Sequence, residues 1–195
     1  MIKPACIILA GGRATRMGGG DKTLLSLGGR PLLSHIIEAL RPQVGALAIN
    51  ATGDAARFAA WSLPVVGDPF PGEGPLSGIL AGLRWARGPA ISTPADTPFL
   101  PPNLVEKLMF VSEREHPDVV MAAWRGAVQP AIALWSPQVM QDLEYTLAQT
   151  RMRGVESFAR TRKWAVANFD DGPDPFFNIN TPSDLAAAEA RLTSA

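Results

Sequence analysis

Glycines and cations cluster near the start of this 195-residue chain, in the run Leu9-Ala10-Gly11-Gly12-Arg13-Ala14-Thr15-Arg16-Met17-Gly18-Gly19-Gly20-Asp21-Lys22. Glycines let backbone N–H groups reach a phosphate without side-chain obstruction. Arg16 and Lys22 add charge that can hold a polyphosphate. The run matches neither common phosphate loop. A P-loop needs Gly-Lys-Ser/Thr, whereas Lys22 follows Asp21, and Gly-x-Gly-x-x-Gly is missing from this turn. Taken alone, the residues leave two readings open: a phosphate cradle, or a glycine loop with solvated cations.

Further along, single polar residues close apolar runs. Asn50, Asp68 and Asp96 each follow such a run. Asp68 could accept from N–H donors of a ligand, or cap the loop 69–74. Asn50 has the same ambiguity, because Asn is also a common turn residue. Arg151, Arg153, Arg160, Arg162 and Lys163 form a late basic stretch, read as solvated surface with phosphate binding as the alternative. Trp124 sits in a turn, unlike the other four tryptophans, which read as packing residues. His35 and His116 stand far apart with no second ligand at metal spacing, which argues against zinc. Cys6, the one cysteine, lies in an apolar run and reads as a core residue.

Strands and helices in alternation must position these groups. Residues 5–10 read as a fully buried strand, followed by strands at 44–50, 64–67, 90–93, 119–123, 128–135 and 164–169. Helices are expected at 32–40, 54–61, 76–86, 101–111, 137–147 and 182–192, with Pro31 and Pro137 opening two of them and Ser136 and Thr181 as caps. The two strands 119–123 and 128–135 are joined by the tight turn 124–127. This alternation predicts a single three-layer, Rossmann-like α/β domain over residues 1–195, with a mostly parallel central sheet. In such sheets ligands bind beyond the carboxyl ends of the strands. Gly11, Gly12, Asn50, Asp68 and Asp96 all fall at such ends, so the sequence points to one shared site.

The order of these motifs resembles the molybdenum cofactor guanylyltransferase family. Leu-Ala-Gly-Gly-x-x-x-Arg-Met-Gly-x-x-x-Lys comes first. Gly74-Pro75-Leu76-Ser77-Gly78 then resembles the family's Gly-Pro-Leu-Ala-Gly, and Thr93-Pro94-Ala95-Asp96-Thr97-Pro98-Phe99 its Asp-Thr/Met-Pro element. Asn178-Ile179-Asn180-Thr181-Pro182 resembles its C-terminal Asn-x-Asn-Thr-Pro. The resemblance implies a fold of the nucleotide-diphospho-sugar transferase type and transfer of GMP from GTP to molybdenum-bearing molybdopterin, releasing pyrophosphate. It implies that Leu9, Ala10, Gly11, Gly12, Lys22, Asn50, Asp68 and Asp96 face the nucleotide, and that Asp96 binds Mg²⁺. Arg16, Lys22 and Asp96 would carry catalysis, and Asn178 and Asn180 would lie near the second substrate or the metal. The sequence departs from the family at Gln129-Pro130, where His-Pro or Arg-Pro is frequent. Other readings are a CMP-transferring relative, a sugar-1-phosphate nucleotidyltransferase, and a non-enzymatic nucleotide-binding regulator. The Leu-Ala-Gly-Gly start resembles the guanylyl branch rather than the cytidylyl one.

Composition narrows the field. Apolar residues make up 47% and charged residues 18%, a globular balance. Eighteen Lys and Arg offset eighteen Asp and Glu, so overall charge gives no reason to expect nucleic acid or a membrane surface as partner. No run is long enough to span a bilayer or has the flanks of a secretory signal. A cytoplasmic monomer is expected, with GTP and molybdopterin as substrates and other cofactor-biosynthesis proteins or acceptor apoenzymes as further partners.

Overall fold

A computed structural model of the chain describes residues 3–11 and 22–193. Nine strands are found among them. They are β1 (Ala5–Leu9), β2 (Ser26–Leu27), β3 (Arg30–Pro31), β4 (Ala46–Asn50), β5 (Val65–Val66), β6 (Ala90–Pro94), β7 (Val119–Trp124), β8 (Ala127–Trp135) and β9 (Trp164–Asn168). Seven form the central sheet in the order β5-β4-β1-β6-β8-β7-β9. All neighbours are parallel except at β8, which runs antiparallel to both β6 and β7. The expected three-layer, mostly parallel α/β architecture is therefore present.

Alternation along each strand divides the core. In β1, Cys6 and Ile8 face one layer, which holds α1 (Leu32–Leu40) and α3 (Leu104–Glu115). The odd residues Ile7 and Leu9 face the other, where α2 (Pro75–Ala86) crosses β1. That second layer also holds α4 (Met140–Gln149) and α5 (Val155–Ala159), packed around Trp135 and Phe158. Both faces of β1 are covered, so it carries no polar alternation. Burial pushes the Cys6 thiol up to about 12. A thiol with that pKa is almost wholly protonated at neutral pH, as a core role requires.

Several boundaries differ from the sequence reading. Pro101 and Pro102 precede α3, whose first residue is Leu104, and α3 runs on to Glu115. Segment 55–61 is a 3-10 helix, with Asp54 Oδ1 accepting from Ala56 N at 2.8 Å. Ser136 caps a short 3-10 turn, Pro137–Val139, ahead of α4. The tight turn in 124–127 is present, with Arg125 and Gly126 both at positive φ, as a two-residue hairpin needs.

Two small features were not anticipated. One is α5. The other is the β2–β3 hairpin that follows the 3-10 turn begun by Lys22. His35 Nε2 lies 2.9 Å from Leu27 O, which pins the hairpin to α1. On its other side the hairpin meets α6 (Pro182–Thr193): Gly28 N donates to Glu189 Oε1 at 2.8 Å, and Leu27, Leu32, Ile179 and Ala188 share a small core. Among the described residues no helix is long and apolar enough to cross a membrane.

Candidate nucleotide site

The parallel strands β1, β4, β5 and β6 all end on one side of the sheet, and a cavity of about 670 Å³ opens there. Its walls include Leu9, Gly11, Lys22, Asn50, Asp68 and Asp96. Six of the residues singled out in the sequence are thus brought together from segments far apart in the chain. Ala10 is not part of the wall. Its side chain is buried among the residues packed with α1, and its N–H donates to Asn50 O at 2.8 Å. Gly12 and Arg16 lie outside the described residues.

Lys22 begins a one-turn 3-10 helix and reaches into the cavity. Its ammonium donates to Asp96 Oδ2 at 2.5 Å and to Asn180 Oδ1 at 2.6 Å. The pair is largely sheltered, with 12% of the Lys22 side chain and 21% of the Asp96 side chain exposed. A carboxylate oxygen and an amide oxygen therefore face one cation. Both are hard donors, the kind a divalent ion such as Mg²⁺ also accepts, usually with one or two carboxylates and substrate phosphates. Among the described residues no group of three or more His, Cys, Asp or Glu could hold a metal.

The C-terminal segment is fastened to the Asp96 loop. Ile179 N donates to Asp96 O at 3.0 Å, and the fully buried Thr97 donates to Asn178 Oδ1 at 2.9 Å. Asp184 Oδ2 accepts from Asn180 N at 2.9 Å and Thr181 N at 2.8 Å, while Thr181 Oγ1 accepts from Asp184 N at 3.2 Å. This reciprocal cap starts α6 and holds Asn180 toward Lys22. The Asn180 amide first, then the Thr181 hydroxyl, hold the Asp184 carboxyl below its ordinary 3.8. The cap is at full strength above 3.8 and is lost as pH falls through the lower folded value.

Asn50 and Asp68 form a second cluster. Asn50 Nδ2 donates to both Val66 O at 3.1 Å and Asp68 Oδ1 at 2.8 Å. Both amide hydrogens are thereby committed, so Asn50 acts chiefly by holding Asp68. The second oxygen of Asp68 stays available to a ligand's N–H donors. In the loop that follows, Phe70 N donates to Ser77 Oγ at 3.0 Å, so α2 rather than Asp68 secures that amide.

Gly78 makes room for this arrangement. A methyl group there would lie 2.2 Å from Asn50 Oδ1 and 2.8 Å from Leu9 Cδ2. One helical turn on, a methyl at Gly82 would lie 2.5 Å from Ile7 Cγ2. Gly78→Ala and Gly82→Ala should each destabilise the protein by about 1–3 kcal/mol through overpacking. Only Gly78→Ala should also weaken nucleotide binding, because it turns the Asn50 amide away from Asp68. Thermal melts and nucleotide titrations of the two variants check this, and equal binding by both would exclude it.

Residues 6–164 match the model of the MobA-like NTP transferase domain. The chain belongs to the MobA-like NTP transferase family. A molybdenum cofactor guanylyltransferase of Rhodopseudomonas palustris (strain HaA2) is 48% identical over 194 residues, covering 95% of this chain and 91% of that protein. One from Cereibacter sphaeroides is 47% identical over 190 residues and covers 95% of each. The crystal structure of molybdopterin-guanine dinucleotide biosynthesis protein A from Archaeoglobus fulgidus superposes with a TM-score of 0.84 at 25% identity, covering 98% of this chain and all of the other. Membership of this nucleotidyltransferase family agrees with the cavity at the strand ends and with the motif order along the chain.

In the late basic stretch, four of the five cations make structural contacts and Arg151 is exposed. Arg160 pairs with Glu156 and stacks on Trp164, Arg162 Nη1 meets Asp142 Oδ2 at 2.5 Å, and Lys163 Nζ donates to Glu115 O at 2.6 Å. Arg153 pairs with Glu73 on the loop that borders the cavity. No sequence signal links residues 80 positions apart. Trp124 is half-buried, with the Arg125 guanidinium 4.7 Å over its ring.

Proposed function

We propose that the chain transfers GMP from GTP to molybdenum-bearing molybdopterin, releasing pyrophosphate and forming the guanine dinucleotide of the cofactor. The observation that carries this reading is the cavity, where Lys22, Asn50, Asp68 and Asp96 converge beside Leu9 and Gly11. Relatives of 46–48% identity, named molybdenum cofactor guanylyltransferase and matched over nearly their whole length, support it.

In this reading the terminal phosphate of molybdopterin attacks the α-phosphorus of GTP. The new P–O bond forms as the bond to the β-phosphate oxygen breaks, and pyrophosphate carries away the electron pair. No protein nucleophile is required, so the chain contributes position and charge. Asp68 accepts from the guanine N–H donors, held in place by Asn50. Lys22 faces the phosphates, with Arg16 and the Gly11–Gly12 backbone as further contacts. Asn178 and Asn180 border the second substrate. Family members are generally divalent-metal dependent. Asp96, with Asn180 beside it, would hold Mg²⁺, which supplies charge neutralisation at the transferring phosphate. The chain acts as one domain and as a monomer in the cytoplasm, with other cofactor-biosynthesis proteins or acceptor apoenzymes as its further partners.

The decisive experiment combines two readouts, with GTP, CTP, ATP and UTP compared in Mg²⁺. GTP should raise the melting temperature well above the other three, since a ligand at a hundred times its Kd stabilises by about 2.7 kcal/mol. Pyrophosphate release should need both GTP and molybdopterin. Release with CTP instead would assign the cytidylyl reaction, and no release with any nucleotide would overturn the enzymatic reading.

A further inference from the structure

We propose that the Glu73–Arg153 ion pair is the fastening that sets the outer wall of the cavity, residues 69–74, and with it the affinity for the nucleotide. The proposal rests on the reading that this cavity takes GTP.

The wall needs a fastening. Pro71, Gly72 and Gly74 line the cavity, and Gly72 and Gly74 hold positive φ values of 84° and 74°. Glycine tolerates this backbone but does not enforce it. Between the two glycines sits Glu73, which is not on the cavity wall. Its carboxylate meets Arg153 Nε on the far side of the loop. Among the described residues, 71–74 have few other anchors: Glu73 N donates to Phe70 O at a long 3.3 Å, and Ser77 N donates to Gly74 O at 3.1 Å.

Arg153 is built as a bracket. Nη1 donates to Thr150 O and Met152 O, both at 2.8 Å, and Nη2 reaches Leu147 O at 3.3 Å. Leu147 belongs to the last turn of α4, where carbonyls lack helical partners and a cation is favoured. Immediately after Arg153, Val155 and Phe158 of α5 enter the core beside Trp135. Nη1 and Nη2 are therefore held by carbonyls of the last turn of α4 and of the segment that follows it, while Nε points at the loop. Of the late basic residues, it is the one whose described contacts reach the cavity loop. A planar fork with donors in three directions suits this task, and an ammonium does not.

Glu73 and Arg153 are positioning residues, since neither lines the cavity. About a third of each side chain is exposed, 37% and 32%. The expected effect is therefore that of a partly exposed pair, about a three- to fivefold rise in the Kd for GTP.

The test uses Glu73→Gln, Arg153→Lys and the double variant. Three quantities are compared with the parent: Kd for GTP, kcat and KM for molybdopterin, and hydrogen exchange of the Phe70, Gly72, Glu73 and Gly74 amides in nucleotide-free protein. Each single variant should raise the Kd for GTP about three- to fivefold and speed loop exchange, with kcat and the molybdopterin KM within about twofold. The double variant should be no worse than the worse single, since both break one tie. Unchanged Kd and exchange in Glu73→Gln would overturn the proposal, as would multiplicative effects in the double. Glu73→Gln leaves the Arg153–carbonyl bonds intact, so it serves even where Arg153→Lys folds poorly. Should the parent bind no GTP, the functional reading fails on its own. Loop exchange in Glu73→Gln then still decides the fastening: faster exchange sustains it and unchanged exchange ends it.

Discussion

Asp96→Ala should lower kcat about 100- to 1,000-fold while the protein stays folded. Asp96 stands at the end of β6 and contributes a sheltered carboxylate to the cavity. Its fold-supporting role runs through its backbone, whose carbonyl accepts from Ile179 N, and that bond survives the substitution. What is lost is a charge aimed at the point where negative charge builds on the phosphates and the ion that accompanies them. Such charges act most strongly in a water-poor site. Asp96→Asn separates charge from shape: it can still accept from Lys22, so a loss as large as that of the alanine variant would assign the effect to charge. Single-turnover rates, with circular dichroism as a check on folding, give the answer. Full turnover in Asp96→Ala with GTP, Mg²⁺ and molybdopterin would remove Asp96 from the reaction.

Lys22→Ala should cost a comparable factor in kcat/KM, about 100-fold or more, with a different signature. The ammonium bridges Asp96 and Asn180, two segments 84 residues apart. Without it, a sheltered carboxylate is left unpaired, which is costly even for a partly buried group. Lys22→Ala should therefore melt below both the parent and Asp96→Ala. A divalent ion should restore part of that loss, because it replaces the missing cation between the same oxygens. The double variant Lys22→Ala/Asp96→Ala should melt above Lys22→Ala alone. Melting curves of the three variants with and without Mg²⁺ check the ordering, and a Lys22→Ala protein as stable as the parent would contradict it.

The strands that carry these residues were legible because their composition leaves one outcome. Ala5–Leu9 has no polar alternation and is covered on both faces. The Thr181 cap and the turn at Arg125 and Gly126 were legible because their chemistry is local. The β2–β3 hairpin was not. Its strands are two residues long, too short for any periodicity, and it exists because α1 and α6 grip it from either side. Five-residue α5 hides for the same reason. The late start of α3 follows from its prolines, which shape the approach to the helix rather than its first turn. At the site, position was readable and partnership was not. Sequence order put Asn50 and Asp68 at strand ends, but only the fold reveals that Asn50 spends both amide hydrogens holding its neighbours. Arg153 looked like any surface cation until its partner 80 residues away came into view.

The clasp between Lys22 and Asn180 also has a meaning in time. Its partners lie 158 residues apart, and the hairpin contact from Gly28 to Glu189 spans 161. A ribosome adding roughly 5–20 residues per second would need about 8–32 s between the two halves of the clasp. For that interval the emerging chain can pair β1 with β4 and β6 and bury much of its core. The pocket, however, still lacks the segment that holds Lys22 and the Asp96 loop in place. An unfinished chain would thus be structured yet unable to engage its substrates fully, and competence would arrive as a late, single event when α6 docks.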